Sequence, residues 1–361
     1  LWDPVSDTHK HTLDAHSESV KLIAFSPDGQ HLASGSDDET IKLWDPATGA
    51  LNHTLEVRSS HILSLAFSPD SQHLASGSLN NTIKLWNPAT GALNHTLEGY
   101  SIRARSLAFS RDGQLLASAS DDTTIKLWDP ATGALKHTLE YYYRVITSLA
   151  FSRDGQLLAS GFGDGTIKLS DSATGDLKHT LEGHSSWVGS VAFSQDGQLL
   201  ASGSGDGAIK LWDPATGALK HTLEGHSSWV GSVAFSQGGQ LLASGSEDTT
   251  IKLWDPATGA LRHTISVDGT ITNIEFSEHL PQLITNMGSF GIQVCYESFS
   301  LNTLETVPEV CLRAGRWITI QGASELWVPP DYQPRSLTAK DGSIALGSAN
   351  GRVVIIRFSI P

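Results

Sequence analysis

Tryptophan stands at positions 2, 44, 86, 128, 212 and 254, a step of 42 residues in which Ser170 fills the one missing beat. A fixed period in the low forties restricts a chain to an array of like supersecondary units. Length alone would suggest two domains, but the repetition overrules that expectation. Each unit parses into four short strands. In the fifth copy "SVAFS" alternates apolar and small residues, "QLLASGS" and "AIKLWD" follow, and "LKHTLE" closes the unit. The turns between them read "QDG", "GDG" and "DPATGA", which are turn signals with a mechanism. One such sheet alone would leave Val191, Phe193, Ile209 and Leu211 facing water. Stacking like sheets around an axis covers both faces and leaves only short outer edges. The expected fold is all-β, a β-propeller of eight or nine four-stranded blades.

The residues "GH" at 183–184 and 225–226, and "WD" at 44–45, 128–129, 212–213 and 254–255, make the chain resemble WD-repeat proteins over nearly its whole length. The near-identical copies "GHSSWVGSVAFSQDGQLLASGSGDGAIKLWDPATGALKHTLE", and the tail that begins "WITIQGASELWVPPDYQPRSL", are more closely similar to the WD arrays of fungal NACHT-type immune and heterokaryon-incompatibility proteins. The resemblance implies the C-terminal, ligand-sensing part of a larger receptor for non-self recognition, its N-terminal signalling domain lying outside this fragment.

The whole chain, 1–361, is expected to form one propeller. Residues 1–14 read as the remnant of a truncated upstream repeat, 15–262 as six regular repeats and 263–361 as divergent C-terminal blades. A drifted seventh unit covers 263–305, with Cys295 in the Trp place, and further strand sets cover 309–330 and 336–358. Residues 9–14 are expected to supply the outer strand of the last blade. Residues 1–4 then compete for the place of 353–357, and upstream blades are expected to be missing.

Thirty-four glycines fit a turn-rich β protein. A net charge of −14 argues against a nucleic-acid partner, whose binding rests on Lys and Arg neutralising phosphates. No run of about 18 apolar residues could span a membrane and no signal peptide opens the chain. The two cysteines, Cys295 and Cys311, lack metal spacing and suggest no disulfide framework. A cytoplasmic setting is expected.

The copies form an internal alignment. Strand direction reverses along each unit, so one side of the disc carries the first-to-second and third-to-fourth turns. That side barely changes ("SPDG", "SRDG", "SQDG"; "DPATGAL") and reads as scaffold. The other side carries the loop leading into the first strand and the second-to-third turn, and both vary. One loop position steps through Ser19, His61, Arg103, Val145, Trp187 and Trp229, and one turn position through Asp37, Leu79, Asp121, Gly163, Gly205 and Glu247. Variation on one face of a copied frame points to ligand contact. Tyr141, Tyr142, Tyr143 and Arg144, standing where the next copy has Gly-His-Ser-Ser, are read as exposed anchors on this rim, with His61, Leu79, Arg103, Trp187, Trp229 and Glu247. A protein or other macromolecular ligand is expected there. The alternative is relaxed loop drift.

Three sets mimic a catalytic triad: His184, Ser202, Asp206 and Trp212; His226, Ser244, Asp248 and Trp254; His16, Ser34, Asp38 and Trp44. By resemblance they are the structural tetrad of WD repeats. Recurrence argues against catalysis, and no oxyanion hole is signalled. Copies two to four depart from the set: Arg58 and Asn80, then Tyr100, then Tyr142 and Ser170 replace its members, each loss predicted to cost on the order of 1 kcal/mol. The "HT" histidines recur one per repeat, too far apart for zinc, and the Gly-rich turns precede no helix that could bind phosphate. No cofactor, metal or catalytic residue is expected. The function expected is a non-catalytic interaction platform; a generic adaptor of a multiprotein complex is the second reading.

Overall fold

The computed structural model describes residues 2–3, 8–9, 12–14, 16–58, 61–141, 145–277, 282–292, 310–313, 317–320, 324–327, 334–340 and 343–357. Among them are seven sheets of four strands, one of six and a two-stranded ribbon. The chain divides into two compact units, Leu1–Ile146 with Pro329–Pro361, and Thr147–Val328.

The fifth copy shows the common plan. Strands Val188–Phe193, Leu200–Ser204, Ile209–Trp212 and Leu219–Leu223 pair in sequence order as an antiparallel sheet. The second strand is buried along its whole length, and the fourth is mostly exposed. Small residues Ala201, Ser202 and Gly203 suit a strand covered on both faces. Two bulges recur, one between Val188 and Ser190 and one between Leu211 and Trp212. The second persists between Leu169 and Ser170 in copy four, so the tryptophan is not what creates it.

Adjacent sheets bury each other. In the unit 147–328, Ala201, Ile209, Leu211 and Leu223 of copy five pack against Val230, Val233, Leu242 and Trp254 of copy six. In the other unit, Ala33, Ile41, Leu43 and Leu55 of copy one meet Ile62, Leu74 and Trp86 of copy two. The third-strand tryptophans Trp86, Trp128, Trp212 and Trp254 thus each cover the preceding copy's sheet.

The final sheet of the first unit is built from Pro334–Lys340, Ser343–Ser348 and Arg352–Arg357. Its fourth strand comes from the other end of the sequence: Thr12–Asp14 pairs antiparallel with Arg352, Val353 and Val354. Trp2–Asp3 pairs instead with Thr8–His9 as a separate ribbon, and 353–357 keeps its own place in the sheet. Ala345, Val353 and Ile355 of this sheet then pack against Val20, Leu32 and Trp44.

The divergent region differs from its sequence parse. Ile274–Phe276, Gln282–Thr285 and Gly288–Gly291 pair onward with Val310–Arg313, Trp317–Ile320 and Ser324–Trp327 in one six-stranded sheet. The strands of 309–330 therefore extend the seventh unit's sheet instead of starting their own. Cys295 lies outside the described residues.

Candidate binding face

The two variable positions meet in space. In the first unit the turn N–H donates to the loop carbonyl from Asp37 to Ser19, Leu79 to His61 and Asp121 to Arg103, at 3.0, 3.1 and 3.3 Å. In the second unit Gly205 donates to Trp187 and Glu247 to Trp229, at 2.8 and 3.1 Å. The opposite turns hold themselves instead. Ser26 donates to Asp28 at 2.5 Å and Ser194 to Asp196 at 2.6 Å, while Asp45 Oδ1 accepts from the Ala47 N–H at 2.7 Å. These self-contained Asx turns explain why that side repeats so closely.

Side chains at the variable positions also pair. Asp37 of copy one accepts from His61 of copy two at 2.8 Å and faces Lys21 at 3.1 Å. Asp121 pairs with both Arg103 and Arg105. Ser228 donates to Glu247 at 2.8 Å. Trp187 and Trp229 lie 5.3 Å apart with planes tilted by 44°. Lys21, Arg105, Gly189 and Gly231 belong to this face as well, because they occupy the first-strand bulge and so step off the ladder. That bulge position varies between copies as freely as the other two and could have been found the same way.

His61, Val145 and Glu247 are exposed, Trp187 is 36% exposed, and Leu79, Arg103 and Trp229 are half-buried. Tyr141 is the correction: expected on the open rim, it is buried at 8%. It takes the place of Gly183 and Gly225, which adopt φ of 151° and 154°. A residue with a Cβ avoids that conformation, and Tyr141 turns its ring inward while its N–H donates to the Thr123 carbonyl at 3.0 Å. Tyr142, Tyr143 and Arg144 lie outside the described residues.

Beneath the face sit the tetrads. The Trp212 indole N–H donates to Ser202 Oγ at 2.9 Å, Ser202 meets His184 Nε2 at 2.8 Å, and His184 Nδ1 meets Asp206 at 3.0 Å. With the ring proton on Nδ1, every group has a matched role: Trp donates to Ser, Ser to His, and His to Asp. Copies one and six repeat the geometry within about 0.1 Å. Burial holds His16, His184 and His226 below the ordinary value of 6.5, against the opposing pull of the Asp. Burial alone would raise the Asp206 carboxyl, but the Ala208 and Ser185 N–H groups and His184 outweigh it and hold it low. The histidine side chains are fully covered, which suits a locked network and not a nucleophile that must meet substrate. Among the described residues no three His, Cys, Asp or Glu side chains gather as metal ligands could.

The departures in copies two and three are compensated in ways the sequence did not announce. Tyr100, in the His place, is buried; its hydroxyl donates to the Ser118 carbonyl at 2.8 Å and lies 2.5 Å from Ser118 Oγ. Its ring stands edge-on to Trp128 at 6.5 Å, as His184 does to Trp212 at 6.4 Å. The expected loss of a hydrogen bond to that serine therefore does not occur. In copy two Arg58 is exposed and Val57 is buried; Lys84 donates to the Val57 carbonyl at 2.7 Å and caps Trp86. Copy four buries Ser170 in the Trp place and Phe162 where five other copies have serine. Ser160 accordingly has no indole donor, and this repeat is expected to be the least stable. In native-state hydrogen exchange, amides of 146–171 are expected to exchange faster than those of 188–213; equal protection would refute it.

The family described as "WD domain, G-beta repeat" (WD40) matches the chain six times, at residues 7–45, 49–87, 91–129, 133–171, 175–213 and 217–255. The vegetative incompatibility protein HET-E-1 of Podospora anserina is 49% identical over 100 residues, 26% of this chain and 7% of that protein. The match thus spans a small part of HET-E-1. Among solved structures, that of the computationally designed protein Ika8 is similar with a TM-score of 0.74 and 29% identity, over 96% of this chain and 98% of that one.

Proposed function

Because the chain belongs to the WD40 family and has the fold of a WD-repeat β-propeller, we propose that it is the ligand-capturing repeat region of a larger fungal NACHT-type receptor for non-self recognition. WD repeats form protein-interaction domains and are typically non-catalytic. The partial likeness to the vegetative incompatibility protein HET-E-1 supports the assignment to non-self recognition; a cytoplasmic setting and a signalling domain elsewhere in the full protein are part of the same proposal. Among the described residues no helix is long and apolar enough to cross a membrane.

One observation carries the reading. Within each unit the positions that differ between copies are hydrogen-bonded neighbours on one side of the sheets, whereas the turns of the opposite side repeat. Turn geometry holds the opposite side constant, but it does not account for the concerted changes at the loop and turn positions of this one. The partner is a macromolecule that covers several loops at once. In a pull-down with the whole chain as bait, Trp187→Ala, Trp229→Ala and Glu247→Ala are expected to weaken capture by about 30-fold when combined, the scale of a lost hot spot. Undiminished capture by the combined variant, with unchanged thermal unfolding, would overturn the proposal.

A further inference from the structure

Copies five and six differ from copies one and three in a concerted way. The loop position carries Trp187 and Trp229, the bulge carries Gly189 and Gly231, and the turn of copy five carries Gly205. A Cβ on Gly205 would lie 2.6 Å from both Trp187 Nε1 and Ser186 Oγ, and one on Gly189 would lie 2.6 Å from the Val230 carbonyl oxygen and 3.0 Å from the six-membered ring of Trp187. One on Gly231 would overlap the Trp229 ring. In copy one the bulge and turn places hold Lys21 and Asp37, closed on each other at 3.1 Å; in copy three they hold Arg105 and Asp121 at 3.2 Å. Removing those side chains opens the gap in which the two indoles come together.

Core packing does not account for this pair. Trp212 and Trp254 serve the core and are 2% exposed, whereas Trp187 is 36% exposed. The loops and turns of this face, residues 182–187, 205–208, 224–229, 247–250 and 267–273, contain Glu182, Asp206, Glu224, Glu247, Asp248 and Asp268 but no Lys or Arg. Asp206 and Asp248 are engaged in the tetrads, while Glu247 is exposed next to Trp229. Lys210 and Lys252 are buried and donate to Thr222 and Thr264. The aromatic surface therefore lies among carboxylates with no competing cation from these loops.

We propose that Trp187, Trp229 and Glu247 seat the guanidinium or ammonium side chains of a basic protein segment. This rests on the platform reading above and names the chemistry of the partner. An indole face attracts a cation more strongly than any other aromatic side chain. The two rings, 5.3 Å apart, pack against each other, so the cation stacks on their exposed outer face, where partial desolvation strengthens the attraction. A carboxylate beside the rings adds long-range attraction that salt screens. Arginine fits best, because its planar group stacks on one ring while its N–H groups reach a carboxylate.

The test titrates the full chain with a nonapeptide of Gly-Arg-Gly repeats, followed by tryptophan fluorescence and calorimetry at two salt concentrations. The same peptide with citrulline for arginine keeps the shape and removes the charge, and maltohexaose tests neutral ring stacking. Saturable binding of the arginine peptide, weaker at high salt, is expected, with at least tenfold loss on citrulline substitution. Trp187→Ala and Trp229→Ala are each expected to weaken it by about 3- to 30-fold, and Glu247→Gln by a smaller factor. Comparable binding of the citrulline peptide, a preference for maltohexaose, or no effect of the tryptophan variants would overturn the proposal. If the arginine peptide fails to bind yet the same variants abolish capture in the pull-down, this inference falls and the platform reading stands.

Discussion

Trp212→Ala is expected to lower the apparent unfolding free energy by about 3–5 kcal/mol, the range for a large aromatic removed from a core. Trp212 is 2% exposed and packs with Ala159, Ile167, Leu169 and Leu181 of the preceding repeat. Its loss opens a cavity between copies four and five and leaves Ser202 without its indole donor. Trp212→Phe keeps most of the volume and removes the N–H, so it is expected to cost only about 1–2 kcal/mol. Urea unfolding gives both numbers. A cost below about 1 kcal/mol for the alanine variant would mean that the sheets do not rely on this contact.

Acid is expected to destabilise the array through His16, His184 and His226. Their folded-state pKa values lie below the ordinary 6.5 because burial favours the neutral ring. Between the folded value and 6.5 the unfolded chain binds more protons, so stability rises with pH across that window. The contribution is complete above about pH 6.5 and is lost as pH falls through the window. Asp38, Asp206 and Asp248 are also held below their ordinary 3.8, so they add a second loss in the same direction at lower pH. Tyr100 supplies the control, since the third copy already places a tyrosine hydroxyl against the tetrad serine. Changing the three histidines to tyrosine is expected to flatten the upper part of the acid limb while the carboxylate part remains. A thermal midpoint that is level from pH 7 to pH 5 in the unaltered protein would refute the account.

The scaffold was legible because its residues recur for one reason each. The tryptophan step marks the third strand, "LASGS" the strand covered on both faces, and Asp with Gly the tight turns. What escaped was compensation between residues far apart in the sequence. Tyr100 reads as a lost histidine until its hydroxyl is seen at Ser118, and Lys84 reads as one more repeated lysine until it is found at the Val57 carbonyl. Tyr141 reads as an exposed aromatic because loop residues usually are; the glycine-like backbone it replaces is what turns it inward. On the variable face the loop and turn positions were visible in the copies, but the pairing of Asp37 with His61 across a sheet boundary was not. Past residue 262 the beat is lost, and with it the means of telling one sheet from two.

Neighbouring repeats grip each other through atoms that do not depend on which copy supplies them. His53, His95 and His179 each reach the carbonyl of the alanine 36 positions on, at 3.0–3.1 Å. Ser148, Ser190 and Ser232 each accept from a first-strand N–H of the following copy. A 42-residue cassette that carries both groups repeats these contacts with its neighbour, whereas copy one, with Leu22 in the serine place, lacks the second. Recombination in frame between such cassettes would reorder the loop side chains while these contacts were kept, so the pattern of the variable positions could change in a single genetic event.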